Sequence, residues 1–244
     1  FEGRIESGLF KMMAIGLGKH AGAQAYHTWA CKLGLEAVIL QVGRHLLATG
    51  KILGGLAIVE DANHNIAKVE AISAEKMEQR EEELLALAKS WRAKLPCDLD
   101  ILIVDEMGKD VSGTGMDTKV VNRSIEGAYN PWPGLPRVAR IFVRDLSDLS
   151  YGNAVGIGMA DVVAGRVVRK IDWNATYINS LTASTPAGAR LPIHFPTDRE
   201  CLEKIWPTAG KLQPEDVTVG WIRNTLRLGL LALSENLLPQ IRAN

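Results

Sequence analysis

The spacing of apolar residues divides the chain into a helical beginning and a longer region in which strands and helices alternate. In the first fifty residues apolar positions recur at helical spacing, and helices are predicted over 23–33 and 35–49, each followed by a glycine. Two short strands are expected over 55–60 and 66–72. The residues between them, 61–65, have turn composition, so the pattern predicts a β-hairpin.

Two continuous aliphatic runs, 100–105 and 138–143, are typical of buried strands in a parallel sheet. A stretch rich in glycine, alanine and valine, 153–170, is predicted to form one closely packed helix. The expected fold class is α/β, with a mainly parallel sheet flanked by helices and a small helical N-terminal lead-in. The expected domains are 1–52 and 53–244. Further helices are expected over 76–94, with a solvated glutamate-rich face over 75–83, and over 197–206, capped by Thr197. Further strands are expected over 191–195 and 217–222.

Composition narrows the class of function. Hydrophobic residues make up 47% of the chain and charged residues 23%, as in an ordinary globular protein. Lysine plus arginine and aspartate plus glutamate both number 28, so no basic field favours a nucleic acid or a membrane surface. No apolar run reaches the ~18 residues of a transmembrane helix. Three widely spaced cysteines match no disulfide or zinc pattern, so reduced thiols and a cytoplasmic location are expected. Because the charge is balanced, a small molecule bound in a local pocket is the expected ligand.

The densest cluster of reactive side chains lies near the beginning of the chain and comprises Lys11, Lys19, His20, Tyr26 and His27. Glycines interrupt the helices that carry them, and glycine lets backbone or ligand approach closely. Imidazole is the commonest protein ligand for nickel-class metals. Spacing alone leaves two interpretations open, a ligand site and a solvated basic helix end.

The segment from Lys11 to His27 resembles the cofactor-anchoring segment of the lactate racemase family. That family binds a nickel pincer nucleotide, a nicotinic-acid-derived ring with two sulfur arms that hold nickel. The resemblance implies that Lys11 bonds covalently to one arm and that His27, sixteen positions later, ligates the nickel. Gly16 matches a glycine five positions after the lysine. Ile15 and Tyr26 stand where the family has proline and asparagine.

A second candidate region, 105–117, follows the first aliphatic strand and contains a lysine, carboxylates and three glycines. In open α/β sheets ligands lie beyond the carboxyl ends of the strands, where this loop is expected. The resemblance implies a lysine here that pairs with the substrate carboxylate. Lys109 is the candidate and Lys119 the rival, and a turn-rich surface loop is the structural alternative.

The function that the resemblance implies is racemisation or epimerisation of a 2-hydroxy acid by reversible hydride transfer. The family's general-base histidines precede the cofactor lysine, and this chain begins at Phe1 rather than methionine. An upstream domain is therefore expected to be missing and the fragment alone to be inactive, while a homo-oligomer stays open. Two alternatives remain. One is a hydrolase or phosphotransferase that binds magnesium through Asp105, Glu106, Asp110 and Asp117. The other is a non-catalytic module that binds a small carboxylate or nucleotide.

Overall fold

The computed structural model describes residues 3–61 and 65–242. The chain forms two compact units, one of Phe1–Arg92 with Thr182–Ser184 and the other of Ala93–Leu181 with Thr185–Asn244. Within the described residues no helix is both long and apolar enough to cross a membrane. The first boundary lies at Arg92, forty residues beyond the break expected after residue 52.

The first unit combines helices with a two-stranded antiparallel sheet, which confirms the predicted hairpin. Residues 62–64 of the expected turn lie outside the described residues. The elements are α1 (Leu9–Lys11), a π-helix (Met12–Gly16), α2 (Leu17–Leu33), α3 (Leu35–Ala48), β1 (Gly54–Glu60), β2 (Ile66–Ser73) and α4 (Met77–Ser90).

A shared core explains why the first unit extends beyond its helices. Phe10 and Ile39 come from the helical beginning, Val59 and Ile72 from the hairpin and Met77 from α4, and all five belong to one buried cluster. A hairpin alone is marginally stable in water, and these contacts supply the apolar burial it needs. The hairpin and α4 therefore fold with the first helices instead of with the larger sheet.

The second unit is α/β with a mostly parallel six-stranded sheet flanked by helices, which confirms the predicted fold class. The strand order is β6–β5–β4–β3–β7–β8, and only β8 runs antiparallel to its neighbour. The elements are β3 (Leu99–Met107), β4 (Val138–Leu146), β5 (Val162–Ala164), α5 (Gly165–Lys170), α6 (Trp173–Thr182), β6 (Ile193–Phe195), α7 (Asp198–Ile205), β7 (Val219–Ile222), β8 (Leu231–Leu233) and α8 (Leu238–Arg242).

The prediction of one helix over 153–170 is wrong in its first two thirds. That stretch contains a 3₁₀ turn at Ile157–Met159 and the strand β5, and only α5 is helical. The three residues of β5 are buried and pair in parallel with β4. A short run of small apolar residues does not distinguish a buried strand from a buried helix by periodicity. The predicted cap of α7 is confirmed, because Thr197 and Glu200 form a capping box.

Arg123 fixes the long connection between β3 and β4 to the sheet. Its side chain is only 2% exposed and forms an ion pair with Asp161 at 3.2 Å. The guanidinium also donates to the carbonyl oxygens of Val138 and Met159. The ring of Tyr129 lies 3.7 Å from the guanidinium carbon, and the Tyr129 hydroxyl donates to Asp161 at 2.5 Å. One buried cation thus joins this connection to β4 and to the turn before β5.

Candidate functional site

Lys11 lies where α1 passes into the π-helix. It is the last residue of α1, and its side chain is half-buried beside Phe10, which is fully buried. π-Helical turns are rare, and they are found frequently at functional sites. The wider turn changes the direction of the side chains that follow Lys11 compared with a regular helix.

The helical segment is kinked at Lys19. The backbone of Lys19 has φ 54° and ψ −157°, a conformation outside the helical region that glycine adopts far more readily. Beyond this kink the ring of Tyr26 returns to Gly18, so that a Cβ at Gly18 would lie 3.2 Å from Tyr26 Cε2. Sixteen residues of straight helix would separate Lys11 from His27 by about 24 Å. The kink shortens that separation.

His27 is half-buried and within electrostatic reach of Lys11. Burial lowers the pKa of His27 below its ordinary value of 6.5, and the positive charge of Lys11 lowers it further. Both effects favour the neutral imidazole, which is the form that binds a metal. None of the described side chains of α2 is fully buried, so His27 is not enclosed in an aliphatic core.

Gly16, Lys19 and His20 occupy different surroundings from this pair. Gly16 ends the π-helix and is exposed, and a Cβ there would lie 3.2 Å from the Met12 methyl group. Lys19 and His20 are both exposed. Lys11 and His27 are therefore half-buried, with the Lys11 charge acting on the pKa of His27, whereas Lys19 and His20 lie toward solvent.

The lysine candidates of the second unit are both engaged within their own loop. Lys109 follows β3 as expected, but its ammonium donates to the carbonyl oxygen of Gly113 at 2.7 Å. Its backbone N–H donates to the Ser150 hydroxyl at 3.0 Å. Lys119 is 7% exposed, and its ammonium lies 3.2 Å from the centre of the Trp132 ring. Lys119 is therefore a packed residue of the connection, whereas Lys109 keeps a partly exposed side chain at the sheet edge.

The four carboxylates proposed for magnesium have separate partners. Asp105 accepts from Arg144 and Trp221, Glu106 from Arg223 and Asn224, Asp110 from Ser147, and Asp117 from the backbone of Lys119. In the described part of the chain no three His, Cys, Asp or Glu side chains group together in a way suited to a metal ion.

A cleft of about 410 Å³ lies at the carboxyl edge of the sheet. The chain passes from β3 through β4 and β5 to β6 on one side, and returns to β7 on the other side of β3. Such a reversal is where open α/β sheets bind ligands. The cleft is lined by Asp105, Glu106, Arg144, Asp145, Arg166 and Arg223.

The charges that line this cleft balance one another. Arg144 pairs with Asp105 and also with Asp198, which Arg166 contacts at 2.5 Å. Arg223 pairs with Glu106 at 3.1 Å. The lining therefore has three arginines and three carboxylates, those of Asp105, Glu106 and Asp145, and carries no net charge. The sequence analysis did not identify these three arginines, because they lie near the ends of three different strands and are far apart in the sequence. A charged residue near the carboxyl end of a predicted strand was the signal that could have found them.

Comparisons with known proteins returned no matching family model, no matching curated protein and no matching solved structure. The resemblance to lactate racemases therefore depends on the sequence motifs alone, of which the pair Lys11 and His27 is the specific one.

Proposed function

We propose that this chain carries the cofactor-anchoring segment of a racemase or epimerase of 2-hydroxy acids that uses a nickel pincer nucleotide. The observation that supports it most is the setting of His27, which is half-buried on a helix kinked at Lys19 and has its pKa lowered by burial and by the Lys11 charge. In this proposal the chain is part of a longer protein, and the residues that exchange the substrate hydroxyl proton lie upstream.

The two side chains fit the roles that the resemblance gives them. Lys11 offers an amine for a covalent link to one sulfur-bearing arm, and His27 offers a neutral imidazole for the metal. When bound, the nucleotide supplies a ring that accepts and returns a hydride. His27 would be the one residue of this chain to hold the metal. The half-buried setting of both side chains excludes part of the surrounding water.

The experiment that tests the proposal is intact-mass and metal analysis of the chain produced together with the cofactor-synthesis enzymes. We expect one nickel per chain and a mass increase that peptide mapping places on Lys11. Magnesium-dependent hydrolysis in place of nickel would favour the hydrolase alternative. A chain with neither metal nor adduct that binds small carboxylates or nucleotides would favour the non-catalytic module.

We expect His27→Ala to reduce nickel retention by at least tenfold while the adduct on Lys11 still forms, because the imidazole ligates the metal and does not make the covalent link. Nickel is measured by elemental analysis after dialysis, and the adduct by intact mass. His20→Ala is the matched control, since His20 lies on the same helix with an exposed side chain. Equal nickel loss in both variants would remove His27 from the metal site.

We expect Lys109→Ala to raise the KM for the hydroxy acid and lower kcat in the full-length protein, together by about tenfold or more, through loss of a charged hydrogen bond to the carboxylate. Lys109 would first exchange its bond to the Gly113 carbonyl for the substrate. Cofactor loading should be unchanged. Lys204→Ala, at an exposed lysine of α7, is the control. Normal kinetics for Lys109→Ala would exclude this role.

A further inference from the structure

Glu81 is a buried carboxylate on a helix whose other glutamates are paired at the surface. The helix α4 contains four glutamates, and three of them form ion pairs with arginines: Glu78 with Arg44, Glu82 with Arg4 and Glu83 with Arg80. Glu81 is 4% exposed. In the part of the chain that the structure describes, its Oε1 atom has no hydrogen-bond partner and no cation is among the groups that influence it.

The other oxygen of Glu81 holds the turn that carries Lys11. The backbone N–H of Phe10 donates to Glu81 Oε2 at 2.9 Å, across 71 residues of sequence. Burial raises the pKa of this carboxylate, and the N–H groups of Phe10 and Leu9 act against that rise. The first N–H groups of a helix have no partner inside the helix. Gly8, at the N-cap position of α1, has no side chain to serve them. Glu81 supplies the missing acceptor.

Close packing fixes the same turn from two further sides. Gly8 has φ +100°, and a Cβ there would lie 3.0 Å from Glu81 Oε1. The ring of Phe10 fills the space over Gly43 of α3, where a Cβ would lie 2.3 Å from Phe10 Cδ1. Leu9 and Phe10 are thus held by a carboxylate at the backbone and by a glycine surface at the ring. Lys11 is the next residue, so these constraints determine where its side chain begins.

We infer that Glu81 is a positioning residue whose carboxylate fixes the backbone of the Leu9–Lys11 turn and thereby sets where the Lys11 side chain begins. The significance of that placement for catalysis rests on the proposed function, whereas the placement itself is a property of the first unit and requires no cofactor.

The energetics of Glu81 indicate that packing alone does not explain a carboxylate here. Burial raises the pKa of Glu81 to about 7, and only the two backbone N–H groups act against it. Ionised glutamate is costly in such surroundings, and glutamine offers a neutral acceptor of nearly the same shape. Above this pKa the ionised carboxylate makes a stronger, charge-assisted bond to the N–H group of Phe10. Burial of the Glu81 carboxylate costs free energy, and its hydrogen bond stabilises the Leu9–Lys11 turn.

The test is hydrogen exchange of backbone amides in the full chain at pH 8. We expect Glu81→Leu to make the amide of Phe10 exchange more than tenfold faster than in the parent chain, because its acceptor is lost, while the amide of Ile39 in the same buried cluster is unchanged. Glu81→Gln keeps a neutral acceptor of nearly the same shape and should restore part of the protection. Glu83→Gln, at the surface of the same helix, is the matched control.

The position of the Lys11 amine is followed by its rate of acylation with an amine-reactive reagent, located by peptide mapping. Glu81→Leu should change this rate at Lys11 and leave that at Lys19 unaltered. A native amide spectrum for Glu81→Leu with unchanged exchange at Phe10 and unchanged acylation at Lys11 would overturn the inference. If Glu81→Leu does not fold, Glu81→Gln decides it: the amide of Phe10 should exchange about five- to tenfold faster than in the parent chain, with that of Ile39 unchanged. Equal exchange would overturn the inference. None of these outcomes depends on nickel or on an adduct.

Discussion

Lys11→Ala is expected to abolish the covalent adduct completely, while Lys19→Ala leaves it in place. Only an amine located beside the bound arm can form the link, and the structure distinguishes the two lysines clearly. Lys11 is half-buried and acts electrostatically on His27, whereas Lys19 lies exposed at the kink. Intact-mass analysis of the chain produced with the cofactor-synthesis enzymes measures the result.

Lys11→Arg makes the test sharper because it keeps the positive charge. A guanidinium stays protonated and is a poor nucleophile, so we expect this variant to lose the adduct as completely as Lys11→Ala. The His27 pKa should nevertheless stay depressed in Lys11→Arg and rise in Lys11→Ala, since the Coulomb effect needs only the charge. Peptide mapping that finds the adduct on Lys19 would refute the assignment of both Lys11 and His27.

The sequence was most informative where one physical pattern dominated. Continuous aliphatic runs predicted β3 and β4, because central parallel strands are buried on both faces. The cap of α7 at Thr197 could also be predicted, because the capping box that Thr197 forms with Glu200 is a local hydrogen-bond pattern and needs no tertiary contacts. The helix prediction for 153–170 was wrong because long-range strand pairing, and not a local pattern, determines the structure there. Pairing of Val162 and Val163 with β4 decides the conformation there, and no local pattern encodes it.

The candidate site was accessible only in part. The residues Lys11 and His27 were identified through a resemblance, whereas helical periodicity alone would place them far apart along one axis. The kink lies at Lys19, and lysine has no preference for this backbone conformation, so the sequence does not predict the kink. The sequence pattern predicts that Glu81 is one of several solvent-exposed glutamates on a helix face. Its burial follows from the contacts of α4 with the Leu9–Lys11 turn, which sequence spacing does not reveal.

Arg123 was also invisible to pattern reasoning, and its replacement is expected to cause the largest loss of stability in the second unit. Arg123→Ala removes the cation from an ion pair in which the two side chains are 2% and 9% exposed. Asp161 would keep its bonds from the Tyr129 hydroxyl and the Ile141 N–H but lose its counter-charge. Breaking a buried pair in this way costs about 3–5 kcal/mol. Urea denaturation of the full chain measures the loss.

A double-mutant cycle tests whether that loss comes from the uncompensated carboxylate. Arg123→Met with Asp161→Asn removes both charges and keeps most of the volume, so it should be less destabilising than the sum of the single changes by 1 kcal/mol or more. Arg199→Ala, which breaks an exposed pair with Glu203, should leave the denaturation midpoint unchanged. Additive losses in the cycle would mean that Arg123 acts mainly through its bonds to the Val138 and Met159 carbonyl oxygens. In that event Asp161→Asn alone would be nearly neutral, because those carbonyl contacts survive it.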